Sequence, residues 1–352
     1  MKLAICTGGG DCPGLNPVIR AVVKYAKHRH NTEVVGIEES FNGLLTRPIR
    51  QQALTPESVA DIFDRGGTIL GTHNYGDTLR GADEKKHIAL IKTGLKELGV
   101  ECLLVVGGEG TQSMAQKLVR AGVKVIGIPK TIDNDLPGTD QTIGFSTCVD
   151  LVSDSVQRLR STAESHDRIM IIEVMGRDSG YIALHGGIAG GAQIVLIPEI
   201  NFSYDKIIAK IRKRQQEGRK YSLVVVSEGA SPEGEASIYN QTFAKQKILG
   251  GIGQEVASKL RQLTAMDTRY TVLGHLQRGG APNAVDKLLA ARFAMAAVDL
   301  AIKEQFGKIV VLKGNRIASM PYESSHHFER FKIPADDELL QAAEGMGICL
   351  GR

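Results

Sequence analysis

The sequence contains no tryptophan, and only 5% of its 352 residues are aromatic. Carbohydrate-binding platforms and base-stacking grooves depend on aromatic side chains, so this composition argues against both. No apolar run approaches the ~20 residues that a membrane-spanning helix requires. The 43 Lys and Arg residues nearly balance the 39 Asp and Glu residues, and no dense basic run suggests a nucleic-acid surface. We therefore expect a protein that binds neither nucleic acid nor membranes.

Cysteine is also scarce, with five residues at Cys6, Cys12, Cys102, Cys148 and Cys349. The number is odd and no CxxC pair occurs, so neither a disulfide framework nor a zinc site is expected. Buried free thiols in a reducing cytosol are the simpler interpretation. The first residues contain no apolar core of signal-peptide length. The sequence thus predicts a cytoplasmic protein.

Glycine, by contrast, is abundant, with 40 residues that cluster where predicted strands end. Short Val- and Ile-rich runs alternate with amphipathic helical stretches along nearly the whole chain. This alternation predicts an α/β protein whose parallel sheets are covered by helices on both faces. The length suggests about two domains, with a crossing between them near residues 138–144. Predicted strands cover residues 2–7, 33–37, 101–106, 124–128, 168–174, 193–197, 221–227, 270–273 and 308–312.

Two glycine-rich loops follow predicted strands and precede predicted helices, as phosphate-binding loops do. The first, residues 7–16, contains Gly9 and Gly10 but lacks the Lys-Ser/Thr of a P-loop, so a tight turn without a ligand is equally compatible. The second, residues 107–111, reads Gly-Gly-Glu-Gly-Thr. There Glu109 could hold Mg²⁺, although Thr111 could simply cap the following helix. The strand–loop–helix context favours phosphate binding.

A third loop, residues 129–140, places Lys130 and Thr131 close to Asp133 and Asp135. Asp133 could accept a proton from a substrate hydroxyl, and Lys130 could stabilise charge on a transferring phosphoryl group. A polar turn rich in Asp and Asn is the alternative. So much polarity between an apolar strand and a long helix favours a reactive site.

Basic residues flank the strands of the second half. Arg177 and Glu228 follow strands, at the edge where ligands bind in α/β sheets. Guanidinium and imidazole groups suit a phosphomonoester, although any one of these side chains could be a surface ion-pair partner or a structural histidine. The whole set is Arg168, Arg177, Glu228, Arg269, His275 and Arg278. Together with three phosphate-type loops, it predicts a magnesium-dependent phosphoryl transferase acting on a phosphorylated, hydroxyl-bearing small molecule.

Six motifs, GGGDCPGLN, GGEGT, PKTIDND, MGRDSG, SEGA and GHLQRGG, occur in this order over nearly the whole chain. The sequence thereby resembles the 6-phosphofructokinase family. The resemblance implies two Rossmann-like domains with parallel-sheet cores and an active site in the cleft between them. A donor-binding domain would comprise residues 1–144 and about 275–328. A sugar-phosphate domain would comprise residues 145–274 and about 329–352.

The same resemblance implies phosphorylation of D-fructose 6-phosphate at its 1-hydroxyl to give fructose 1,6-bisphosphate. Asp133 would be the base and Glu109 the magnesium ligand, with Mg²⁺ as cofactor. The catalytic set would be Asp133, Thr131, Arg177 and Lys130. The sugar phosphate would contact Thr131, Asp133, Asp135, Arg168, Met175, Gly176, Arg177, Glu228, Arg269, His275 and Arg278. The donor would contact Gly9, Gly10, Asn74, Gly108, Gly110 and Thr111.

The phosphoryl donor requires a separate prediction. In this family a side chain after the acidic residue of the GGEG loop fills the space of the nucleotide α-phosphate, and here Gly110 leaves that space open. Lys130, however, is typical of pyrophosphate-dependent enzymes, and Asn74 replaces an Arg common in ATP enzymes. This combination resembles the mixed-substrate branch of the family. We predict ATP, with pyrophosphate as the alternative, because steric exclusion is hard to evade.

Other functions fit the sequence less well. An NAD or lipid kinase with a GGDG-type loop would not be expected to carry both the MGRDSG and GHLQRGG motifs. A non-catalytic sugar-phosphate sensor would be expected to lose Asp133 or Glu109, and both are present. The resemblance also implies that Arg168 and Arg269 act in a neighbouring subunit's site. We therefore expect a homodimer or homotetramer.

Overall fold

A computed structural model describes residues 1–73, 79, 83–235, 239–243, 246–324 and 331–352. The chain divides into two compact units. The first comprises Met1–Ile132, Leu136–Thr147 and Arg278–Arg330, and the second Asp133–Asp135, Cys148–Gln277 and Phe331–Arg352. The predicted crossings at 144, 274 and 328 therefore fall near unit limits. Residues 133–135 fall in the second unit rather than the first.

Most elements alternate between strand and helix. The strands are β1 (Lys2–Thr7), β2 (Glu33–Ile37), β3 (Gln51–Leu54), β4 (Cys102–Gly107), β5 (Val125–Thr131), β6 (Ile143–Gly144), β7 (Ile169–Val174), β8 (Ile194–Leu196), β9 (Ser222–Ser227), β10 (Tyr239–Phe243), β11 (Gln246–Leu249), β12 (Thr268–Val272), β13 (Lys308–Lys313) and β14 (Arg316–Pro321). The helices are α1 (Leu15–His30), α2 (Asn42–Leu45), α3 (Glu84–Glu97), α4 (Glu109–Arg120), α5 (Phe145–Ser165), α6 (Tyr181–Gly190), α7 (Tyr204–Gln216), α8 (Ile252–Thr264), α9 (Ala284–Ile302) and α10 (Glu338–Gly345).

The described part of the first unit contains an eight-stranded sheet with the order β14-β13-β5-β4-β1-β2-β3, with β6 beside β5. From β13 to β2 all pairs are parallel, whereas β14 and β3 are antiparallel to their neighbours. From β1 the chain goes to β2 on one side, and from β4 to β5 on the other. The strand order therefore reverses between β1 and β4, and such a switch point is where α/β sheets bind ligands.

The described part of the second unit contains a four-stranded sheet with the order β12-β7-β9-β8, in which every pair is parallel. Strands β7 and β9 are buried along their whole length. Their Ile and Val side chains pack with α7 and α8 in one apolar cluster. Such runs are typical of parallel strands covered on both faces. The predicted α/β class with parallel-sheet cores is thus confirmed.

Several boundaries differ from the prediction. β5 continues to Thr131, so Lys130 and Thr131 end a strand rather than lie in a loop. α4 begins at Glu109 after Gly108, so Thr111 lies within its first turn rather than at its cap. The antiparallel edges, the β10–β11 hairpin, α8 and α10 were not predicted. No helix in the described ranges has the length and apolar content needed to cross a membrane. The five cysteines are free thiols, of which Cys6, Cys12, Cys102 and Cys148 are buried, as predicted, whereas Cys349 is only partly buried.

Candidate active site

The two predicted phosphate loops adjoin at the switch point of the first sheet. Thr7 is in register with Val106, and the Gly8 N–H donates a hydrogen bond to the Val106 carbonyl at 2.9 Å. A Cβ on Gly8 would stand only 2.7 Å from the Thr111 side chain. The loop after β1 therefore approaches the start of α4 this closely only because residue 8 is glycine.

Arg278 lies against the first loop. Its Nη1 donates to the Asp11 carbonyl at 3.1 Å. A Cβ added to Gly10 would stand 2.3 Å from the same Nη1. Only the absence of a side chain at position 10 leaves room for the Arg278 guanidinium. The described structure thus brings Gly10 and Arg278 together within the first unit.

Lys130 is almost fully buried, with 2% of its surface exposed. Its Nζ donates to the carbonyl oxygens of Gly8 at 2.9 Å and Gly10 at 2.5 Å. A buried ammonium requires such partners, and these bonds fix two carbonyls of the loop on one cation. The sequence predicted an ammonium directed at a transferring phosphoryl group. In the structure the Lys130 ammonium binds the backbone of the glycine loop, and its role toward a phosphoryl group stays a prediction.

The second loop begins α4, so Glu109, Gly110 and Thr111 occupy the first helical turn. The unpaired N–H groups and the dipole of this end favour an anion. An added Cβ on Gly110 would meet no described atom within 4 Å. Space in front of the helix end is therefore open at position 110, as predicted.

Glu109 is the candidate metal ligand, and its carboxylate lies 3.4 Å from the Ser113 hydroxyl. Among the described residues, no group of three or more His, Cys, Asp and Glu side chains could hold a metal ion. Mg²⁺ is commonly bound by one or two carboxylates, substrate phosphates and water. A single half-exposed carboxylate beside an anion-binding helix end fits that mode of binding.

The second unit contains the candidate base. Asp133 and Asp135 are 7% and 4% exposed, and Asn134 between them has a left-handed φ of 52°. Asn tolerates this conformation better than most residues. The Phe331 N–H donates to the Asp135 carbonyl at 2.7 Å. The turn is therefore buried and held by the C-terminal segment.

Arg177 and Glu228 meet at the carboxyl ends of the neighbouring strands β7 and β9. Arg177 has a left-handed φ of 51°, and its N–H donates to Glu228 Oε1 at 3.1 Å. A Cβ on Gly229 would stand 1.8 Å from the Arg177 carbonyl oxygen, so residue 229 must be glycine. An unfavourable φ held by its surroundings is common at functional sites.

The pKa of Glu228 indicates that Asp133 lies near it. Burial is the main cause that raises the pKa of Glu228 to about 7. The charges of Asp133 and Glu173 raise it further, whereas the Arg177 N–H bond and guanidinium lower it. Asp133 and Arg177 are therefore both close enough to Glu228 to affect its charge.

This raised pKa predicts how Glu228 affects stability. The usual pKa is 4.5 and the folded value about 7, so the folded state binds the proton more tightly and stability falls as pH rises through this window. Relative to the wild type, Glu228→Gln should be more stable at pH 8 than at pH 5 by up to about 3 kcal/mol. Urea unfolding at both pH values measures this, and a pH-independent difference contradicts it.

Arg168 and Arg269 lie at the opposite edge of the second sheet. Arg168 immediately precedes β7, and Arg269 is in register with Met170 near the start of that strand. Both pair with Asp267, at 2.5 and 3.0 Å. At about 3.3 Å per residue, Arg168 stands about 20 Å and Arg269 about 13 Å along the strand direction from the end of β7 that precedes the Arg177 turn. The structure does not bring them to the Arg177 edge within one chain.

The remaining predicted site residues lie in turns and a short helix, except one that the structure does not describe. Met175 and Gly176 lie in the turn after β7, where the Met175 N–H donates to Gln277 Oε1 at 3.3 Å. His275 lies in the short helix Gly274–Arg278. Asn74 lies outside the described residues. Sequence reasoning missed Asp267 and Gln277, because their hydrogen bonds join residues about a hundred positions apart.

Comparisons with known proteins identify the family of the chain. The model of the Phosphofructokinase family matches residues 2–301. An ATP-dependent 6-phosphofructokinase of Chloroflexus aurantiacus is 45% identical over 359 residues, which cover 99% of this chain and 98% of that protein. The resemblance inferred from the six motifs is thereby confirmed.

Solved structures extend the comparison. The phosphofructokinase of Saccharomyces cerevisiae has a TM-score of 0.78 and 29% identity over 92% of this chain, which spans 45% of the yeast chain. A pyrophosphate-dependent phosphofructokinase from Marinobacter aquaeolei has a TM-score of 0.81 at 21% identity, covering 100% of this chain and 93% of that one. That likeness concerns the fold alone and does not distinguish the donors. With a family match over most of its length and a relative this similar along nearly all of it, the chain belongs to the phosphofructokinase family.

Proposed function

We propose that this protein transfers the terminal phosphoryl group of Mg-ATP to the 1-hydroxyl of D-fructose 6-phosphate. The products are fructose 1,6-bisphosphate and ADP, and the reaction is the committing step of glycolysis. The observation that carries the proposal is the arrangement at the ends of β7 and β9, where the Arg177 N–H donates to Glu228 Oε1 at 3.1 Å and buried Asp133 lies close enough to raise the pKa of Glu228. Asp133 is a buried carboxylate, and Arg177 is a cation whose backbone is fixed by the bond to Glu228. The name of the Chloroflexus relative supports the same reaction.

Asp133 is the base in this proposal. As the sugar O1 attacks the γ-phosphorus, the O1–P bond forms, the bond from phosphorus to the β,γ-bridging oxygen breaks, and the hydroxyl proton passes to the Asp133 carboxylate. Arg177 stabilises the negative charge on the transferring group. Thr131 and Asp135 support the base, and Met175, Gly176 and Glu228 hold the sugar. His275 and Arg278 bind its 6-phosphate, together with Arg168 and Arg269.

The donor phosphates bind to the first unit. Backbone N–H groups around Gly9, Gly10 and Gly108 and the α4 end at Thr111 favour a polyphosphate. Lys130 keeps the first loop in shape through the Gly8 and Gly10 carbonyls. Glu109 would hold Mg²⁺, which when bound neutralises donor phosphate charge. Asn74 remains a proposed donor contact.

Two observations bear on the choice of ATP over pyrophosphate. The open space at Gly110 accommodates a nucleotide α-phosphate. The Lys130 ammonium, whose presence is the sequence argument for pyrophosphate, binds the glycine-loop carbonyls. Both favour ATP. A coupled assay with each donor in parallel tests this: turnover with ATP is expected, and turnover with pyrophosphate alone refutes it.

The positions of Arg168 and Arg269 support an active site shared between subunits. A phosphate at the Arg177 edge is out of their reach within one chain, because they stand at the far edge of the sheet. Strand β12, which carries Arg269, exposes Tyr270 at 44% and Val272 at 50%. Exposed apolar groups beside functional arginines are typical of a protein interface. We infer a homodimer or homotetramer in which these arginines complete a neighbour's site.

Mixing two inactive variants tests the shared site. Asp133→Asn lacks the base and Arg269→Ala lacks the phosphate clamp, so each alone should be nearly inactive. After random reassembly, a site is intact when an Arg269→Ala subunit receives Arg269 from an Asp133→Asn neighbour. This restores about one quarter of wild-type activity if each site uses one neighbour.

The matched control is Arg158→Ala, which removes an exposed arginine paired with Asp154 on α5. It should leave activity within about twofold, as surface pairs contribute little. A reassembled mixture no more active than its two parents would show that Arg269 acts within its own chain.

A non-catalytic sugar-phosphate sensor is the second candidate. It would bind fructose 6-phosphate tightly without turnover under magnesium and ATP. The retained carboxylates of Asp133 and Glu109 and the fixed backbone of Arg177 argue against it, because a sensor needs neither base nor metal ligand.

A further inference from the structure

Glu199 joins two segments of the second unit that are far apart in sequence. It follows β8, at the same sheet edge as Arg177 and Glu228. Its Oε1 accepts the Gly180 N–H at 3.0 Å and the Ile333 N–H at 3.0 Å. One carboxylate oxygen therefore ties the start of α6 to the C-terminal segment.

The first partner belongs to the turn that carries Arg177. Gly180 ends this turn and precedes α6, and the Ser179 N–H donates to the Gly176 carbonyl at 2.9 Å. A Cβ on Gly180 would stand 2.5 Å from the Ile197 side chain and 2.7 Å from Glu199 Oε2. The absence of a side chain at position 180 allows the carboxylate to reach the backbone.

The second partner leads to the candidate base. Ile333 is 4% exposed, so its side chain anchors the C-terminal segment. Two residues earlier, the Phe331 N–H donates to the Asp135 carbonyl at 2.7 Å. Three hydrogen bonds, joined by the backbone of residues 331–333 and the side chain of Glu199, thus link the Asp133–Asp135 turn to the Arg177 turn.

We propose that Glu199 is a positioning residue for the acceptor half of the site, holding the Asp133 turn and the Arg177 turn in register through residues 331–333. The inference rests on the proposed function, because that function makes Asp133 the base and Arg177 the group that stabilises charge on the transferring phosphoryl group. Glu199 acts by accepting two N–H groups, not by contacting the substrate. Burial, the largest cause, raises the pKa of Glu199, whereas the accepted Ile333 and Gly180 N–H bonds lower it.

Two full-length variants of Glu199, with a control described below, test this role. Glu199→Ala removes the acceptor and should lower kcat about ten- to hundredfold, since small misplacements of reacting groups have effects of this size. The KM for ATP should change less than about twofold, because the donor loops belong to the first unit. Glu199→Gln keeps an Oε1 acceptor and should restore kcat to within about threefold of wild type.

The matched control is Asp337→Ala in the same C-terminal segment. Asp337 Oδ1 accepts the Leu339 N–H at 2.8 Å and caps α10. Losing this cap should lower the melting temperature without changing kcat by more than about twofold. Wild-type kcat in Glu199→Ala, equal loss in Glu199→Gln, or equal loss in Asp337→Ala would each overturn the proposal.

Hydrogen–deuterium exchange tests the coupling without using activity. In Glu199→Ala, peptides covering residues 131–136 and 175–181 should both exchange faster, and peptides covering residues 107–112 should not. Faster exchange confined to residues 175–181 would overturn the link to the base. Failure of the proposed function would appear differently, as a wild type without turnover whose exchange still responds to Glu199→Ala.

Discussion

Replacing Asp133 by Asn is expected to lower kcat about a thousandfold, within the range that a general base contributes. The amide has nearly the shape of the carboxylate but cannot accept the hydroxyl proton. Because the substrate is an anion, removing the negative charge of the buried Asp133 should not weaken fructose 6-phosphate binding. Affinity measured by calorimetry should stay within about threefold of wild type.

Asp140→Asn is the matched control for this substitution. Asp140 follows the same turn, but its side chain is 46% exposed and pairs with Lys313. Its replacement should leave kcat within about twofold, as exposed pairs contribute little. If Asp133→Asn retains more than about a tenth of wild-type kcat, Asp133 is not the base.

Replacing Gly110 by Asp is expected to lower kcat/KM for ATP at least about a hundredfold, which corresponds to about 2.7 kcal/mol. A carboxylate would enter the open space in front of α4 that we assign to the α-phosphate. There it would both occupy volume and repel negative charge. The protein should still fold, since Gly110 has no left-handed φ and an added Cβ meets nothing within 4 Å among the described atoms.

Gly110→Ala is the matched control, because it distinguishes the effect of the added carboxylate from the effect of replacing glycine. It adds only a methyl group on a helical backbone and should lower kcat/KM for ATP less than about fivefold. Steady-state kinetics with varied ATP, together with thermal melting of both variants, gives the comparison. ATP kinetics of Gly110→Asp equal to those of wild type would place the nucleotide elsewhere.

Much of this fold could be predicted because its parallel strands are buried on both faces. Residues 102–107 and 222–227 are buried throughout and rich in Leu and Val, and the polar residues that follow them fall at the ligand-binding edge. That rule placed Arg177 and Glu228 correctly near each other. The antiparallel strands β3 and β14 escaped prediction, since edge strands are only partly buried and lack this pattern.

Contacts between distant residues could not be predicted. The sequence indicates only that Lys130 is a cation in the third loop. The folded chain shows that its ammonium donates hydrogen bonds to the Gly8 and Gly10 carbonyl oxygens. Glu199 follows a strand like many surface carboxylates, and its partner Ile333 is 134 residues away. Such bonds depend on how loops meet, which local periodicity does not encode.

The most direct test is ³¹P NMR of the wild-type protein with fructose 6-phosphate, Mg-ATP and pyrophosphate in one tube. The account predicts that the ATP γ-phosphate signal declines as a second sugar phosphomonoester signal appears, with pyrophosphate retained. Consumption of pyrophosphate with ATP intact would contradict the assignment of the donor. No new phosphomonoester from either donor would contradict the assignment of Asp133 as a base and of the chain as a phosphoryl transferase.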